Sequence, residues 1–143
     1  MNGKTDQMSL LTLPDMSVNA KIAASMARMV KDSGLSREQV LDRLNDSGRR
    51  LGIAFSGGGK LSLATFEKWL NPNEPSYVPR LEELNLFCRI FSDNAPYQVL
   101  LDAQGLGARV IDAAETKILE YGRLLLEEKA RKARKRSLEA ELK

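Results

Sequence analysis

Apolar residues recur every three or four positions through most of this 143-residue chain, and this spacing constrains its fold more than any other feature. Such steps place apolar side chains along one face of an α-helix, whereas a half-buried strand needs apolar and polar residues to alternate. Between residues 17 and 107 the spacing appears in five segments, separated by glycine, proline and serine. The chain is therefore predicted to be all-α, with no sheet.

Capping residues set the expected bounds of the five helices. A serine precedes each of the first three segments, and Gln39 follows Ser36 by three positions, which is the spacing of a capping box. Glycine or an Asn-Pro step closes these segments, and proline lies in the first turn of the last two. The predicted helices run from Ser17 or Asn19 to Gly34, from Ser36 to Gly48, from Ser62 to Asn71, from Pro79 to Phe91, and from Ala95 to the glycines at 105 and 107.

Two stretches do not follow the helical pattern. Residues 1–16 are mostly small and polar and include Pro14, so they are predicted to form a flexible N-terminal arm. Residues 45–60 carry five glycines around an apolar run at 51–55. This run is expected to be either an irregular turn or a brief strand.

Residues 108–143 differ from the rest of the chain. They contain no proline and one glycine, Gly122, and are rich in Ala, Leu, Glu, Lys and Arg, which predicts one long helix. Five of the apolar residues step by three and four, as in the seam of a coiled coil. We expect this seam to mediate self-association, and its members are Ile111, Ala114, Ile118, Tyr121 and Leu125.

The composition argues against catalysis. The chain has no histidine and a single cysteine, Cys88. Histidine acid–base chemistry and Ser-His or Cys-His nucleophile pairs are therefore excluded, as are zinc sites that need histidine or four cysteines. Cys88 lies on an apolar stripe, which favours a buried thiol over a nucleophile. We expect no enzyme activity, no cofactor, no metal and no small-molecule ligand.

Sequence signals also bear on the compartment. A single cysteine cannot form an intrachain disulfide, which fits a reducing cytosol. No apolar run approaches about 18 residues, and the N-terminus lacks a basic-then-apolar export pattern. These features predict a cytoplasmic protein with no membrane partner.

A glycine-rich stretch resembles a phosphate-binding loop but lacks the required spacing. Residues 56–62 read S-G-G-G-K-L-S, with Ala54 where the motif needs its first glycine and Leu61 where it needs Ser or Thr. Nucleotide hydrolysis is therefore not expected. Either Lys60, together with Arg49 and Arg50, contacts nucleic-acid phosphates, or this stretch is a solvated surface loop.

Basic residues are distributed unevenly along the chain. Residues 71–108 carry two basic and five acidic side chains, whereas residues 109–143 carry ten and seven. Residues 129–136 form a basic run, K-A-R-K-A-R-K-R. This run is either a solvated helix end, favoured by the negative end of the helix dipole, or a nucleic-acid contact.

The third predicted helix has the pattern of a helix that enters the DNA major groove. Its apolar residues Leu61, Phe66 and Trp69 are expected to face the core. A helix that reaches base edges needs small or polar side chains in its first turn, and the outward face has them. That face consists of Ser62, Leu63, Ala64, Thr65 and Lys68. A plain amphipathic core helix would show the same periodicity.

The order of three stretches resembles the lambda-repressor/Cro-like helix-turn-helix family. These are S-G-L-S-R-E-Q-V-L-D-R-L at 33–44, L-S-L-A-T-F-E-K-W-L-N at 61–71 and P-S-Y-V-P-R-L-E-E-L-N-L-F-C-R-I-F at 75–91. The step K-W-L-N-P-N-E-P also looks like temperate-phage CII-type regulators, and the resemblance covers about residues 18–105.

The resemblance implies roles for particular residues. It implies that Ser62, Leu63, Ala64, Thr65 and Lys68 face bases or phosphates, and that Arg37 and Gln39 contact the DNA backbone. Residues 45–60 are longer than the few-residue turn of that family, so either the second helix is longer or a glycine loop is inserted.

The predicted function is sequence-specific binding of double-stranded DNA by a transcriptional regulator of phage or prophage origin. Operators of such proteins are commonly two-fold, so a homodimer or a higher homo-oligomer is expected. The predicted organisation is the arm at 1–16, a five-helix repressor-like helix-turn-helix domain at 17–107, and the long helix at 108–143. The other open interpretation is a helical adaptor or phage assembly protein without DNA-binding activity, whose C-terminal helix pairs with another chain.

Overall fold

The computed structural model describes residues 17–55 and 58–142 and confirms the all-α class. Within these residues the only β-type pairing is an isolated antiparallel bridge between Phe55 and Gly59. The predicted arm at residues 1–16 lies outside the described part of the chain. The helices are α1 (Val18–Ser33), α2 (Arg37–Leu51), α3 (Leu63–Trp69), α4 (Leu81–Phe91), α5 (Ala95–Ala103) and α6 (Ala113–Glu141).

The chain divides between Arg109 and Val110 into two compact units, the first with α1 to α5 and the second with α6. In the first unit α1 packs against α5, while α2 packs against α3 and α4. The helices enclose one apolar core. Its largest fully buried side chains include Phe66, Phe87, Met26, Leu44, Leu61, Leu86 and Val40.

The predicted N-terminal caps of the first three helices are confirmed. The Ser17 hydroxyl, rather than Asn19, accepts a hydrogen bond from the Ala20 backbone N–H at 3.1 Å. In the capping box of α2, the Gln39 backbone N–H donates to the Ser36 hydroxyl at 3.1 Å, and the Ser36 N–H donates to the Gln39 side chain at 2.8 Å. These caps satisfy backbone donors that have no partner inside the helix.

The prediction that α2 ends at Gly48 is wrong. The helix continues to Leu51 and ends where Gly52 adopts a left-handed conformation with φ of 70°. Gly48 instead lies in the helix beneath the Phe55 ring, and a Cβ atom there would come within 2.8 Å of Phe55 Cε2. Glycine at this position therefore makes room for an aromatic side chain. Of the two alternatives to a few-residue turn, each holds in part: the second helix is longer than predicted, and the glycine-containing residues 52–62 still separate it from α3.

The start of α4 also differs from the prediction, since the helix begins at Leu81 and not at Pro79. Arg80 is the N-cap residue, and its backbone N–H donates to Glu83 Oε1 at 2.8 Å. Glu83 is 1% exposed, and the Arg80 guanidinium lies beside it, with Nε 3.2 Å from the same oxygen. This charged partner and the backbone donor compensate the burial of the carboxylate.

The long helix α6 begins later than predicted, at Ala113, because Asp112 caps it. The Asp112 side chain accepts from the Glu115 N–H at 2.7 Å, and the Asp112 N–H donates to Glu115 Oε2 at 3.2 Å. Residues 108–112 are therefore not helical, and Ile111 does not belong to the helical seam in which it was placed. No residue of α6 is buried. Among residues 17–55 and 58–142, no helix has the length and apolar character that crossing a membrane requires.

Candidate nucleic-acid interface

The start of α3 is tied to α2 by the side-chain amide of Asn45. The Leu61 backbone N–H donates to Asn45 Oδ1 at 2.8 Å, and Asn45 Nδ2 donates to the Leu61 carbonyl at 3.0 Å. Asn45 thus replaces both hydrogen bonds that the Leu61 backbone would make with water. The two bonds fix the entry to α3 relative to the middle of α2.

The inner face of α3 is held by aromatic packing. Phe66 is fully buried and Trp69 is 3% exposed, as the periodicity predicted. Their rings meet edge to face with centroids 6.2 Å apart, and the Trp69 ring also lies 6.3 Å from that of Phe55. This seven-residue helix is too short to be stable alone, so its position depends on these contacts.

The first turn of α3 presents small and polar groups outward. Ser62 and Ala64 are exposed, and the Ser62 hydroxyl accepts from the Thr65 backbone N–H at 3.2 Å. The Ser62 and Thr65 hydroxyls are also within hydrogen-bond distance, at 3.0 Å. Leu63, which was expected to face outward, is half-buried and packs against the edge of the core. The exposed residues of this turn are therefore Ser62 and Ala64, while Thr65 and Lys68, also expected to face outward, are partly exposed.

Two of the predicted basic contacts, Arg37 and Lys68, line one groove beside α3 with a volume of about 580 Å³. Arg37 Nη1 lies 4.0 Å from Glu67 Oε1, so the first residue of α2 faces the middle of α3. Lys68 Nζ stands 4.3 Å above the centre of the Tyr77 ring, a cation–π contact that orients the amine. Glu67 and Glu74 line the same groove, so its charge is mixed.

The other predicted basic residues lie elsewhere on the unit. Arg49 and Lys60 line a second groove, of about 680 Å³, at the end of α2. Arg49 and Arg50 both pair with Asp46, at 2.9 and 2.7 Å, through exposed side chains. Such exposed pairs hold their partners weakly, so a phosphate can compete for either guanidinium. Gln39 is engaged in the capping box of α2.

The carboxylates and the ring that accompany these cations were missed by the sequence analysis. Glu67 lies within the stretch 61–71 that carries the recognition pattern, but the pattern predicts no role for it, while Tyr77 lies in the proline-rich bend after α3. Asn45 lies within α2, and the helical pattern alone indicates no hydrogen-bond partner for its side chain. In the sequence, Asn45 is a polar residue one turn after the apolar Val40 and Leu41, a pattern too common to indicate this contact.

The lone cysteine is a core residue, as predicted. Cys88 is 3% exposed on α4. Burial raises the pKa of its thiol to about 11, with a smaller contribution from the negative charge of Asp93. Because the thiolate is the reactive form, the native protein should hold this cysteine unreactive at neutral pH.

We expect alkylation of Cys88 by iodoacetamide at pH 8 to be at least about a hundredfold slower in the native protein than in guanidinium, because the raised pKa removes thiolate and burial restricts access. The native rate should rise as the pH approaches the thiol pKa. Mass spectrometry of timed samples gives both rates. Equal rates in the two conditions would contradict the buried placement.

No group of three or more His, Cys, Asp or Glu residues within the described ranges is arranged to hold a metal ion. The side chains around α3 offer hydrogen bonding by the Ser62 and Thr65 hydroxyls and charge pairing by Lys68 and Arg37. Comparison with protein-family models, with curated proteins and with solved structures found no match to this chain.

Proposed function

We propose that this protein binds a specific sequence of double-stranded DNA through α3 and regulates transcription in a phage or prophage. The observation that carries the proposal is the two-sided character of α3. Its inner face is anchored by Phe66 and Trp69, while its first turn is open and lined by Ser62, Ala64 and Thr65. A helix with a rigid back and small outer side chains can enter the major groove deeply enough to reach base edges.

In this mechanism α3 reads bases while residues around it position the protein. The Thr65 hydroxyl can donate to or accept from a base edge, and the Ala64 methyl can contact a thymine methyl. Lys68 and Arg37 line one groove beside α3 and can contact phosphates there, while Lys60 can contact phosphates from the separate groove that it lines with Arg49. The carboxylate of Glu67 releases Arg37 readily because their separation is 4.0 Å and both side chains are half-exposed.

The proposal is tested by selecting bound sequences from random duplex DNA and measuring gel shifts on any enriched motif. A DNA-binding regulator should enrich one motif and bind it far more tightly than random duplex. Affinity for random duplex should fall steeply with salt, because each neutralised phosphate releases counterions. No enrichment and no salt-dependent retention would contradict the proposal and favour the helical adaptor.

Removing the outward polar groups of α3 should weaken DNA binding without unfolding the protein. Thr65→Ala should reduce affinity for the selected motif by about 1–3 kcal/mol if the hydroxyl contacts a base. Lys68→Ala should weaken motif and random duplex alike and lower the salt slope by about one, as loss of a phosphate contact does. Fluorescence anisotropy titrations at several salt concentrations measure both effects.

Two matched variants control this experiment. Thr65→Ser keeps the hydroxyl and should retain most of the affinity. Lys21→Ala removes a lysine from α1, in the groove that α1 shares with α5, and should leave the salt slope unchanged. Wild-type affinity of both Thr65→Ala and Lys68→Ala, on both DNAs, would show that α3 is not the reading helix.

A further inference from the structure

The N-terminal half of α6 carries a continuous exposed apolar surface. Ile118 is 69% exposed, Leu125 47% and Leu126 70%. Leu119, Tyr121 and Leu124 are exposed by more than half. A contiguous exposed apolar surface of this kind is typical of a surface that contacts another molecule.

Gly122 lies in the middle of this apolar surface. Glycine destabilises a helix interior by roughly 0.5–1 kcal/mol relative to alanine. Among residues 17–55 and 58–142, no atom outside the backbone of its own helix lies within 4 Å of where its Cβ would be, so no contact among them requires glycine there. A second helix crossing at this point would need it, because the missing Cβ allows two backbones to approach closely.

Charge is distributed asymmetrically along the same helix. Before Gly122, Glu115 lies on the apolar face, since steps of three and four connect it with Ile118 and Gly122. After Gly122, the same row continues through Leu125 to Lys129. Lys132 and Arg136 follow on this face together with Glu128, whose Oε1 pairs with Lys132 Nζ at 3.4 Å, so three basic residues outnumber one acidic residue in this part of the face. The face thus runs from acidic, through apolar, to basic.

We propose that α6 pairs with α6 of a second copy in the antiparallel direction, crossing it near Gly122. A two-fold axis at Gly122 places Glu115 of one copy opposite Lys129 of the other, and packs Ile118 against the partner's leucines at 125 and 126. Antiparallel pairing thus brings opposite charges together at both ends of one apolar contact. Parallel pairing would set each Lys129, Lys132 and Arg136 against its own counterpart, which is unfavourable.

This proposal does not depend on DNA binding, because it uses only the residues of α6. It commits to a second copy because the acidic-to-basic order is complementary to itself when reversed. The helix is 29 residues long, but the apolar part spans two turns on either side of Gly122 at most. Pairing is therefore confined to the centre, and the remaining basic residues stay solvated.

Disulfide trapping with single cysteine variants distinguishes the two directions. Glu115→Cys and Lys129→Cys are prepared as full-length chains with tags of different size, and Cys88 is kept because it is buried. In the antiparallel pair the two residues at position 115 lie about 21 Å apart along the axis, too far for a disulfide. When the two variants are mixed, we expect the yield of heterodisulfide to exceed the yield of either homodisulfide by about tenfold. The reason is that the paired thiols have a high effective concentration.

Glu120→Cys is the matched control, since Glu120 lies on the opposite face of α6 and is exposed like the other two positions. Mixed with Lys129→Cys, it should form no more heterodisulfide than a random collision gives. Homodisulfides from Glu115→Cys and from Lys129→Cys separately would show a parallel pair and overturn the proposal. A wild-type protein that is monomeric in sedimentation equilibrium at micromolar concentration would also overturn the proposal. The apolar surface of α6 would then be assigned to contact with a different protein.

Discussion

Replacing Trp69 with alanine is expected to destabilise the first unit by about 3–5 kcal/mol. Trp69 is 3% exposed and its ring contacts those of Phe66 and Phe55, so truncation leaves a large cavity between α3 and the end of α2. The loss should lower the melting temperature by more than about 12 °C for a unit of this size. Thermal unfolding followed by circular dichroism measures the shift.

Two further variants make this result specific to the aromatic contact. Trp69→Phe keeps a ring in the cluster and should destabilise the unit by much less than alanine does. Leu106→Ala alters a side chain that is 78% exposed and should leave the melting temperature near that of the wild type. A shift of only a degree or two for Trp69→Ala would contradict the buried placement of the indole and would assign it to a surface contact.

The helices of the first unit were predictable because their signals are local. Ser36 and Gln39 form their capping box within one turn, so the sequence alone contains both partners. Gly48 was misread because a glycine signals either a helix end or a close approach by another residue. Only the position of Phe55, seven residues later, distinguishes the two, and that position is a property of the tertiary structure.

The candidate interface was predictable only where its signals are local in the sequence. The orientation of α3 followed from its apolar spacing, and the inward placement of Phe66 and Trp69 is confirmed. The partners of its cations were not predictable, since Arg37 meets Glu67 across 30 positions of sequence. Leu63 was misplaced because helical spacing leaves a residue at the edge of the apolar face undecided, and packing then buries half of it.

Composition predicted the existence of the long helix α6 but not the residue at which it begins. Residues 108–112 lack proline, yet Asp112 caps the helix and leaves Ile111 outside it. Asp112 and Glu115 have the spacing of a capping box, so the correct start was present in the sequence. The seam that remains is Ala114, Ile118, Tyr121 and Leu125, and it is short for a stable coiled coil.

Placing aspartate on this seam is expected to convert the protein to a monomer and to weaken operator binding strongly. Ile118→Asp with Leu125→Asp puts four carboxylates into the proposed contact between two copies. Both side chains are exposed in the single chain, at 69% and 47%, so the fold of each copy should survive. Loss of the second DNA-binding unit removes avidity, and operator affinity should fall by a factor on the order of 10²–10⁴.

Sedimentation equilibrium measures the loss of the dimer, and anisotropy titration of the same preparations measures the loss of operator affinity. The double variant retains every Lys and Arg, so a change in affinity cannot arise from a loss of basic residues. Thr116→Asp with Leu138→Asp adds the same negative charge on the opposite face of α6, where Leu138 is 50% exposed, and should remain dimeric, with at most a modest effect on DNA. If the seam variant is monomeric but binds its operator normally, a single copy suffices for recognition, and the two-fold operator model is wrong. If it stays dimeric, another surface joins the copies, because two buried aspartates on each chain cannot be accommodated in an apolar contact without a large loss of affinity.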